Sequence, residues 1–145
     1  MKHLHFISLL IGTVFSLTSC FNNNTPGDIE KSICQELKKG NFEKAMKIHF
    51  ENGVAHSKRG DDPQSIDIKE NDTQKSIALF ADKIGKSIEE KGGLKDFQIN
   101  EDIDEDGEYA TVTTIFIYGN GDEEEQHHHY MKIDGKWKTI ISRGK

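Results

Sequence analysis

The chain has 145 residues, with 19 Lys and Arg against 25 Asp and Glu and a formal charge of −6. That length corresponds to about one domain, large enough to bury a core without disulfides or a structural metal. Two cysteines, Cys20 and Cys34, cannot form the framework of a disulfide-rich scaffold. Nucleic-acid binding depends on Lys and Arg that neutralise phosphates, and no basic stripe occurs in the sequence. A nucleic-acid partner is therefore excluded.

The N-terminal residues have the pattern of a secretory signal peptide. Lys2 and His3 precede an apolar run over residues 6–17, which is too short to span a ~30 Å hydrocarbon core as a helix. The run closes on Leu17-Thr18-Ser19-Cys20, which resembles a lipobox. The resemblance implies cleavage before Cys20, a diacylglycerol on its sulfur and acylation of the new amine, for example by palmitate. The alternative is an ordinary signal peptide that is cut elsewhere.

The predicted chain has three parts. Residues 1–19 form the signal peptide, 20–25 a lipidated tether, and 26–145 a single folded domain. In the class of lipoproteins that the lipobox resembles, an aspartate after the cysteine favours the inner membrane, whereas this chain has Phe21. We therefore expect an outer-membrane lipoprotein of a Gram-negative bacterium, on the periplasmic or the surface leaflet.

Three helices are predicted in the first part of the domain. Thr25-Pro26-Gly27-Asp28 has the order of an N-cap, a first-turn proline and an acidic residue, and Gly40 ends that helix. Asn41 caps a second helix, which makes a helical hairpin. A third helix starts at Asp72 or Thr73 and stops before two glycines. The apolar stripes of the three helices are Ile29, Ile33, Cys34 and Leu37; Phe42, Ala45, Met46 and Phe50; Ile77, Phe80, Ala81, Ile84 and Ile88.

Residues 51–71 separate the second and third predicted helices. This segment is polar and is broken by two glycines and Pro63, which predicts a long irregular loop. One short strand is expected within it, near Ile66 and Ile68. Long loops in compact domains often carry function, but no motif assigns a role to this one.

The C-terminal half alternates apolar and polar residues and predicts four antiparallel strands. The turn pairs Asp106-Gly107, Asn120-Gly121 and Asp134-Gly135 separate strands expected over residues 95–103, 108–118, 123–133 and 136–142. The predicted fold class is therefore α+β, with three helices packed on a curved four-stranded antiparallel meander.

A tight turn at Asn120-Gly121 predicts the register of the two central strands: Tyr118 opposite Glu123, Val112 opposite His129 and Ala110 opposite Met131. The core face of the sheet would then carry Ala110, Val112, Phe116, Tyr118, Met131 and Ile133. The second face would carry Thr111, Thr113, Ile115, Ile117 and Tyr130. That face is too apolar to be fully solvated, so we expect it to meet a ligand, a helix or a second copy of the chain in a homodimer.

Three segments of the domain carry a family resemblance: Lys39–Ala45 (KGNFEKA), Tyr109–Val112 (YATV) and Asp134–Lys138 (DGKWK). Together with the lipobox, they resemble small bacterial lipoproteins of unknown function with a nuclear-transport-factor-2-like (NTF2-like), or cystatin-like, fold. The resemblance implies a curved sheet wrapped by helices, with a pocket that different relatives use for catalysis, ligand binding or dimerisation. No catalytic motif of the enzymatic relatives matches this chain residue by residue, and fold alone does not determine function.

The acidic turn between the first two strands is a candidate calcium loop. Asp102, Asp104 and Asp106 alternate before Gly107, as in the first half of such a loop. The twelfth position is Thr113, where a bidentate Glu is required. We therefore favour a solvated acidic hairpin tip over a calcium site.

Three consecutive histidines, His127, His128 and His129, lie in the third predicted strand. Strand alternation places His127 and His129 on one face, close enough to share a metal ion. Zinc would need a third ligand, and the spacing of Cys34, His49 and His56 recommends none of them. We interpret the histidines as neutral side chains of a partly exposed strand and predict no metal and no other cofactor.

His128, Tyr130 and Trp137 are the candidates for the predicted pocket, although a Trp after a hairpin turn more often closes the end of a core. No phosphate loop, nucleophile elbow or Cys-rich metal motif occurs in the sequence. We therefore predict non-enzymatic binding of a small molecule or a protein partner. An enzyme of the isomerase or hydrolase type with a pocket acid or base is one alternative, and a dimerising interaction module is another.

The lipid anchor is tested by intact-mass analysis of the membrane fraction. We expect a chain that begins at Cys20 and carries diacylglycerol and acyl additions, because two or more acyl chains hold a protein stably in a membrane. Replacing Cys20 with Ala should abolish the additions and release the chain. A soluble, unmodified mature chain from the unaltered gene would contradict the expectation.

Overall fold

The computed structural model describes residues 25–56 and 70–142, which form an α+β domain. Its elements in chain order are α1 (Pro26–Lys38), α2 (Phe42–Glu51), β1 (Gly53–His56), α3 (Glu70–Glu90), β2 (Leu94–Ile103), β3 (Tyr109–Tyr118), β4 (Glu123–Ile133) and β5 (Lys136–Ser142). The three helices and the four-stranded antiparallel meander of β2 to β5 confirm the predicted fold class.

Local signals set the ends of α1. Thr25 Oγ1 accepts a hydrogen bond from the Asp28 amide and Asp28 Oδ2 accepts one from the Thr25 amide, each at 3.2 Å, which confirms the predicted capping box. Gly40 adopts φ +78° just beyond the helix, a conformation that glycine adopts without steric cost. The chain therefore reverses direction into α2, and the two helices form the predicted helical hairpin.

Asn41 precedes α2 but does not cap it through its side chain. Its Nδ2 instead donates to Glu36 Oε2 at 2.8 Å, and Lys39 and Lys44 pair with the other carboxylate oxygen. The Asn41 hydrogen bond, followed by that of Lys39, lowers the pKa of Glu36 to about 2. An ionised Glu36 thus ties the end of α1 to the start of α2.

The segment between α2 and α3 differs from the prediction. Residues 53–56 form β1, which pairs in parallel with β5 at the sheet edge, from Gly53 opposite Thr139 to His56 opposite Ser142. The sequence of this strand is short and begins with a glycine, and the strand pairs with β5, which is distant in the chain, so no local pattern predicts it. Helix α3 begins at Glu70, before the predicted caps, and the strand expected near Ile66 and Ile68 lies outside the described residues.

The sheet order is β1-β5-β4-β3-β2, and α1 packs across β2 and β3 on one face. We call this the inner face and the opposite one the outer face. The core lies between α1 and the inner face and extends into the contacts of α1 with α2 and of α2 with α3. The sequence predicts Phe80 on the buried stripe of α3, but it is 49% exposed, and its ring centroid lies 5.6 Å from that of Phe50.

The register predicted for β3 and β4 is wrong by one residue. Val112 pairs with His128, Ala110 pairs with Tyr130, and Met131 lies opposite Tyr109. The cause is a hairpin loop of three residues, 119–121. It is closed by the Tyr118 amide, which donates to Asp122 O at 2.9 Å, and its last residue, Gly121, has φ +92°.

A one-residue slip exchanges the two faces of a strand. Tyr130, which was predicted on the second face, is therefore fully buried in the core, and His128 points inward. The rest of the predicted second face, Thr111, Thr113, Ile115 and Ile117, does lie on the outer face and is partly exposed.

Candidate functional site

The inner face of β4 is polar along most of its length, although β4 lies in the middle of the sheet. Its inward side chains stand opposite the buried residues Phe116, Thr114, Val112 and Ala110 of β3. We call the four inward side chains the inner polar stripe: Glu124, Gln126, His128 and Tyr130. Polar groups removed from water need partners, because each unsatisfied group costs about 1–3 kcal/mol.

Glu30 of α1 is the partner of the middle of this stripe. Its side chain is 1% exposed, and Oε1 lies 2.9 Å from His128 Nδ1. Tyr130 Oη donates to the other oxygen, Oε2, at 2.8 Å. Both carboxylate oxygens are therefore bound, which is the condition for keeping a buried charge in a protein.

The pKa values in this cluster favour an ion pair. Burial alone would raise the pKa of Glu30, but the hydrogen bond and charge of His128, together with the Tyr130 hydroxyl, hold it below 4.5. Burial opposes the charge on His128, but the hydrogen bond and charge of Glu30 raise its pKa above 6.5. Burial and the charge of Glu30 raise the pKa of Tyr130, so its hydroxyl keeps its proton and donates. Because Glu30 is ionised, His128 Nδ1 carries a proton and donates to it.

Two further titratable side chains border the ion pair. Burial, followed by the charge of Glu30, strongly raises the pKa of the Cys34 thiol, which makes this cysteine an inert core residue. The ring centroid of His49 on α2 lies 6.1 Å from that of His128. Burial and the charge of His128 lower the pKa of His49, so His49 stays neutral beside the imidazolium.

The second ring nitrogen of His128 is the atom that this cluster leaves for another molecule. The His128 side chain is 28% exposed. It lies two residues before Tyr130, at which the pairing of β4 with β5 begins. Within the described residues, Nε2 of His128 has no hydrogen-bond partner. A carboxylate that fixes one nitrogen orients the ring and sets its tautomer. His128 can therefore donate to an acceptor or exchange a proton with it.

The far end of the inner polar stripe is closed by its own contacts. Lys91 Nζ lies 2.6 Å from Glu124 Oε2, and Tyr118 Oη donates to the same oxygen at 3.3 Å. Gln126 Nε2 donates to Glu124 Oε1 at 2.7 Å. Since each of these groups already has a partner, this end stabilises the fold and does not present a site.

His127 and His129 lie on the outer face, on the opposite side of the sheet from the ion pair. Their Nδ1 atoms lie 3.0 Å from Thr113 Oγ1 and 3.2 Å from Thr111 Oγ1, respectively, and His127 Nε2 lies 3.0 Å from Glu125. The two histidines share a face as alternation predicted. Across the described part of the chain, however, no three His, Cys, Asp or Glu side chains come together as a metal site.

The candidate calcium residues Asp102, Asp104 and Asp106 are exposed at the tip of the β2–β3 hairpin. Asp104 Oδ1 accepts from the amides of Glu108 and Tyr109 at 2.9 and 3.1 Å. This carboxylate closes the turn, as Asp commonly does. These contacts favour the interpretation of the three aspartates as a solvated hairpin tip over a calcium site.

Trp137 lies away from the ion pair. It pairs with Lys132, four residues beyond His128 on β4, and its ring packs partly against the core. Lys132 Nζ lies 5.1 Å from the ring centroid. Of the three predicted pocket residues, the structure thus brings His128 and Tyr130 together and leaves Trp137 apart.

The sequence does not predict Glu30 as a site residue and offers His49 only as an unsupported zinc ligand, although Glu30 has a detectable signal. It lies four residues before Cys34 and seven before Leu37, on the same buried stripe of α1. A carboxylate at such a position is rarely fully buried without a partner. His49 lies in a half-buried part of α2 and has no comparable signal.

An open groove of about 660 Å³ lies elsewhere, between the α1–α2 turn and α3. Its charged lining residues, Glu43, Lys44 and Asp82, are exposed, and Lys44 is engaged by Glu36. Among the described residues that line it, no titratable group is buried, so the ion pair is the better candidate site.

Comparison with solved structures places the fold in the NTF2-like class. A structure named as an NTF2-like transpeptidase from Campylobacter jejuni superimposes with a TM-score of 0.55 at 18% identity, over 81% of this chain and 98% of that one. A SEC-C motif containing protein from Rhodopseudomonas palustris gives a TM-score of 0.45 at 17% identity, over 81% and 77%. At such identities the first likeness shows the fold alone.

The family model described as "Domain of unknown function (DUF4878)" matches residues 18–140, so the chain belongs to this family. No curated protein matches the chain significantly. In the described part of the chain, no helix is long and apolar enough to cross a membrane.

The Glu30–His128 pair gives a testable pH dependence of stability. The lowered pKa of Glu30 stabilises the fold above about pH 4.5, and that contribution is lost as pH falls through the folded-state pKa. The raised pKa of His128 stabilises it below about pH 6.5, and that contribution is lost as pH rises through the folded-state pKa. Between about pH 4.5 and about pH 6.5 both groups therefore contribute their full stabilisation.

We expect Glu30→Gln to lower the free energy of unfolding by about 2 kcal/mol near pH 5.5, and by less at about pH 3 or about pH 9. Urea unfolding across this range measures the difference. Glu43→Gln, which alters an exposed carboxylate on α2, serves as the control and should leave the profile unchanged. A Glu30→Gln deficit that does not vary with pH would contradict the ion pair.

Proposed function

We propose that the chain is a bacterial lipoprotein, held at the outer membrane through lipid on Cys20, whose folded domain binds a small molecule or a protein partner without altering it chemically. The lipobox-like sequence supports the anchor. Helix α1 begins at Pro26, six residues after Cys20, and a chain of that length spans at most ~20 Å. The domain would therefore work close to the membrane surface.

The observation that carries the binding proposal is the half-buried His128. A buried carboxylate holds its ring in one orientation, and its second nitrogen faces away from that carboxylate. Preorganised polar groups in a mostly apolar setting provide orientation and specificity for a ligand. No nucleophile, such as a Ser or Cys in contact with His128, accompanies it among the described residues.

An enzyme is the second candidate function, and the same geometry favours it. A histidine oriented by a carboxylate can act as a general base or acid toward a bound substrate. Catalysis of the isomerase or hydrolase type would then use His128 for proton transfer and Glu30 to position its ring. The two candidates differ in whether the bound molecule leaves unchanged.

Native mass spectrometry of the protein purified from its own host distinguishes these functions. We expect a co-purifying molecule that is recovered unchanged, with occupancy reduced several-fold in His128→Gln. His127→Gln is the matched control, since it removes the adjacent histidine from the outer face. Turnover of the recovered molecule, abolished in His128→Gln but not in His127→Gln, would replace binding with catalysis. Release of no molecule from the unaltered protein would contradict both.

We also propose that two copies associate through the outer face, where Ile115 and Ile117 are partly exposed on β3. A two-fold axis would bury these side chains symmetrically. Light scattering on the domain from Thr25 onward should give twice the monomer mass at micromolar concentration. Ile117→Lys should return it to the monomer mass, because a desolvated lysine would lie at the interface. A monomer mass for the unaltered domain would contradict the dimer.

A further inference from the structure

We infer that the molecule bound at this site is an amphiphile with a carboxylate head and a single apolar tail, such as a fatty acid. Its carboxylate would accept a hydrogen bond from His128 Nε2, and its tail would lie along the rings of His49, Phe50 and Phe80. This inference rests on the proposed binding function and names the chemical class of the ligand.

The single charged donor of the site favours a head group with one negative charge. The imidazolium of His128 presents one N–H outward, and a charged donor prefers a charged acceptor. The carboxylate of Glu30 lies directly behind the ring at 2.9 Å, so the pair together carries almost no net charge. A dianion such as phosphate would meet one donor and the repulsion of Glu30, and a cationic head would meet the charged donor of His128 instead of an acceptor.

The apolar part of the inference comes from a row of rings that leads from His128 to the surface. Ring centroids are separated by 6.1 Å from His128 to His49, 5.5 Å from His49 to Phe50 and 5.6 Å from Phe50 to Phe80. His128, His49 and Phe50 are half-buried, whereas Phe80 at the end of the row is 49% exposed although it lies on the apolar stripe of α3. A tail laid along this row would remove the exposed aromatic surface from water, which is favourable in proportion to the apolar area covered.

The proposed head group makes binding depend on pH. The titratable groups that face His128 are Glu30 and Cys34 from α1, His49 from α2 and Tyr130 from β4. Of these, Cys34 and Tyr130 stay protonated and His49 stays neutral near pH 7, so His128 is the group that titrates. Affinity for a carboxylate should therefore fall as pH rises through the pKa of His128.

Calorimetric titration with three amphiphiles of equal tail length tests the head group. The protein used is the predicted mature chain from residue 20 with Cys20→Ala, which carries no lipid of its own, and circular dichroism verifies that it is folded. At about pH 6 and at monomeric concentrations, we expect dodecanoate to bind about tenfold more tightly than dodecanol, and dodecyltrimethylammonium to bind more weakly than either. At about pH 9 the preference for dodecanoate over dodecanol should disappear.

Paired substitutions separate the head from the tail. His128→Gln should remove the preference for dodecanoate and leave dodecanol binding within about twofold, whereas the control His127→Gln changes neither. Phe80→Ser should weaken both ligands, and the control Tyr109→Ser, at another exposed ring, should weaken neither. Since Phe80 is exposed, its replacement does not endanger the fold, and circular dichroism verifies the folding of the His128 variant.

Equal affinity of dodecanoate and dodecanol, or a His127→Gln effect as large as that of His128→Gln, would overturn the inference. If the molecule recovered from the host protein has no carboxylate, the inference fails while the proposed binding function stands. If no amphiphile binds and no molecule is recovered from the host protein, both fail.

Discussion

The buried carboxylate of Glu30 is the constraint on which the arrangement of this domain depends. Its two oxygens need two donors, and the donors are His128 and Tyr130, which are two residues apart on β4 and so share a face. That requirement joins the first helix to a strand about a hundred residues later in the chain. It is met only when β4 presents its even-numbered residues to the helices. The position of α1 across the sheet and the register of the central hairpin therefore satisfy one and the same condition.

The sequence predicted those parts of the fold that local chemistry determines. The capping box at Thr25, the left-handed glycine after α1 and the glycine turns of the meander act within a few residues, and the predicted strand bounds differ from the observed ones by one residue at most. The short strand β1 pairs with β5, which lies far along the chain, and no local pattern predicts it. For the same reason Glu30 was overlooked as a site residue: its partners are distant in sequence.

The register of β4 was mispredicted for a physical reason. The buried face of a strand is normally recognised by alternating hydrophobicity, but residues 123–129 of β4 are all Glu, Gln or His, so neither face is apolar. The prediction that His127 and His129 share one face is therefore right. The predicted register places that face toward the core, whereas the structure places His128 there. Only the length of the loop at 119–121 distinguishes the two arrangements, and dipeptide signals such as Asn-Gly do not distinguish a two-residue loop from one of three residues.

That three-residue loop also limits how chains of this kind can diverge. Lengthening or shortening it by one residue would bring His127 and His129 against α1 and turn His128 and Tyr130 to the solvent, with little change in the total hydrophobicity of either face. A change of two residues would restore the inward side chains. Natural variation in the length of this hairpin should therefore obey parity: even steps are tolerated, whereas odd steps survive only where the helix no longer carries an acidic residue at the position of Glu30.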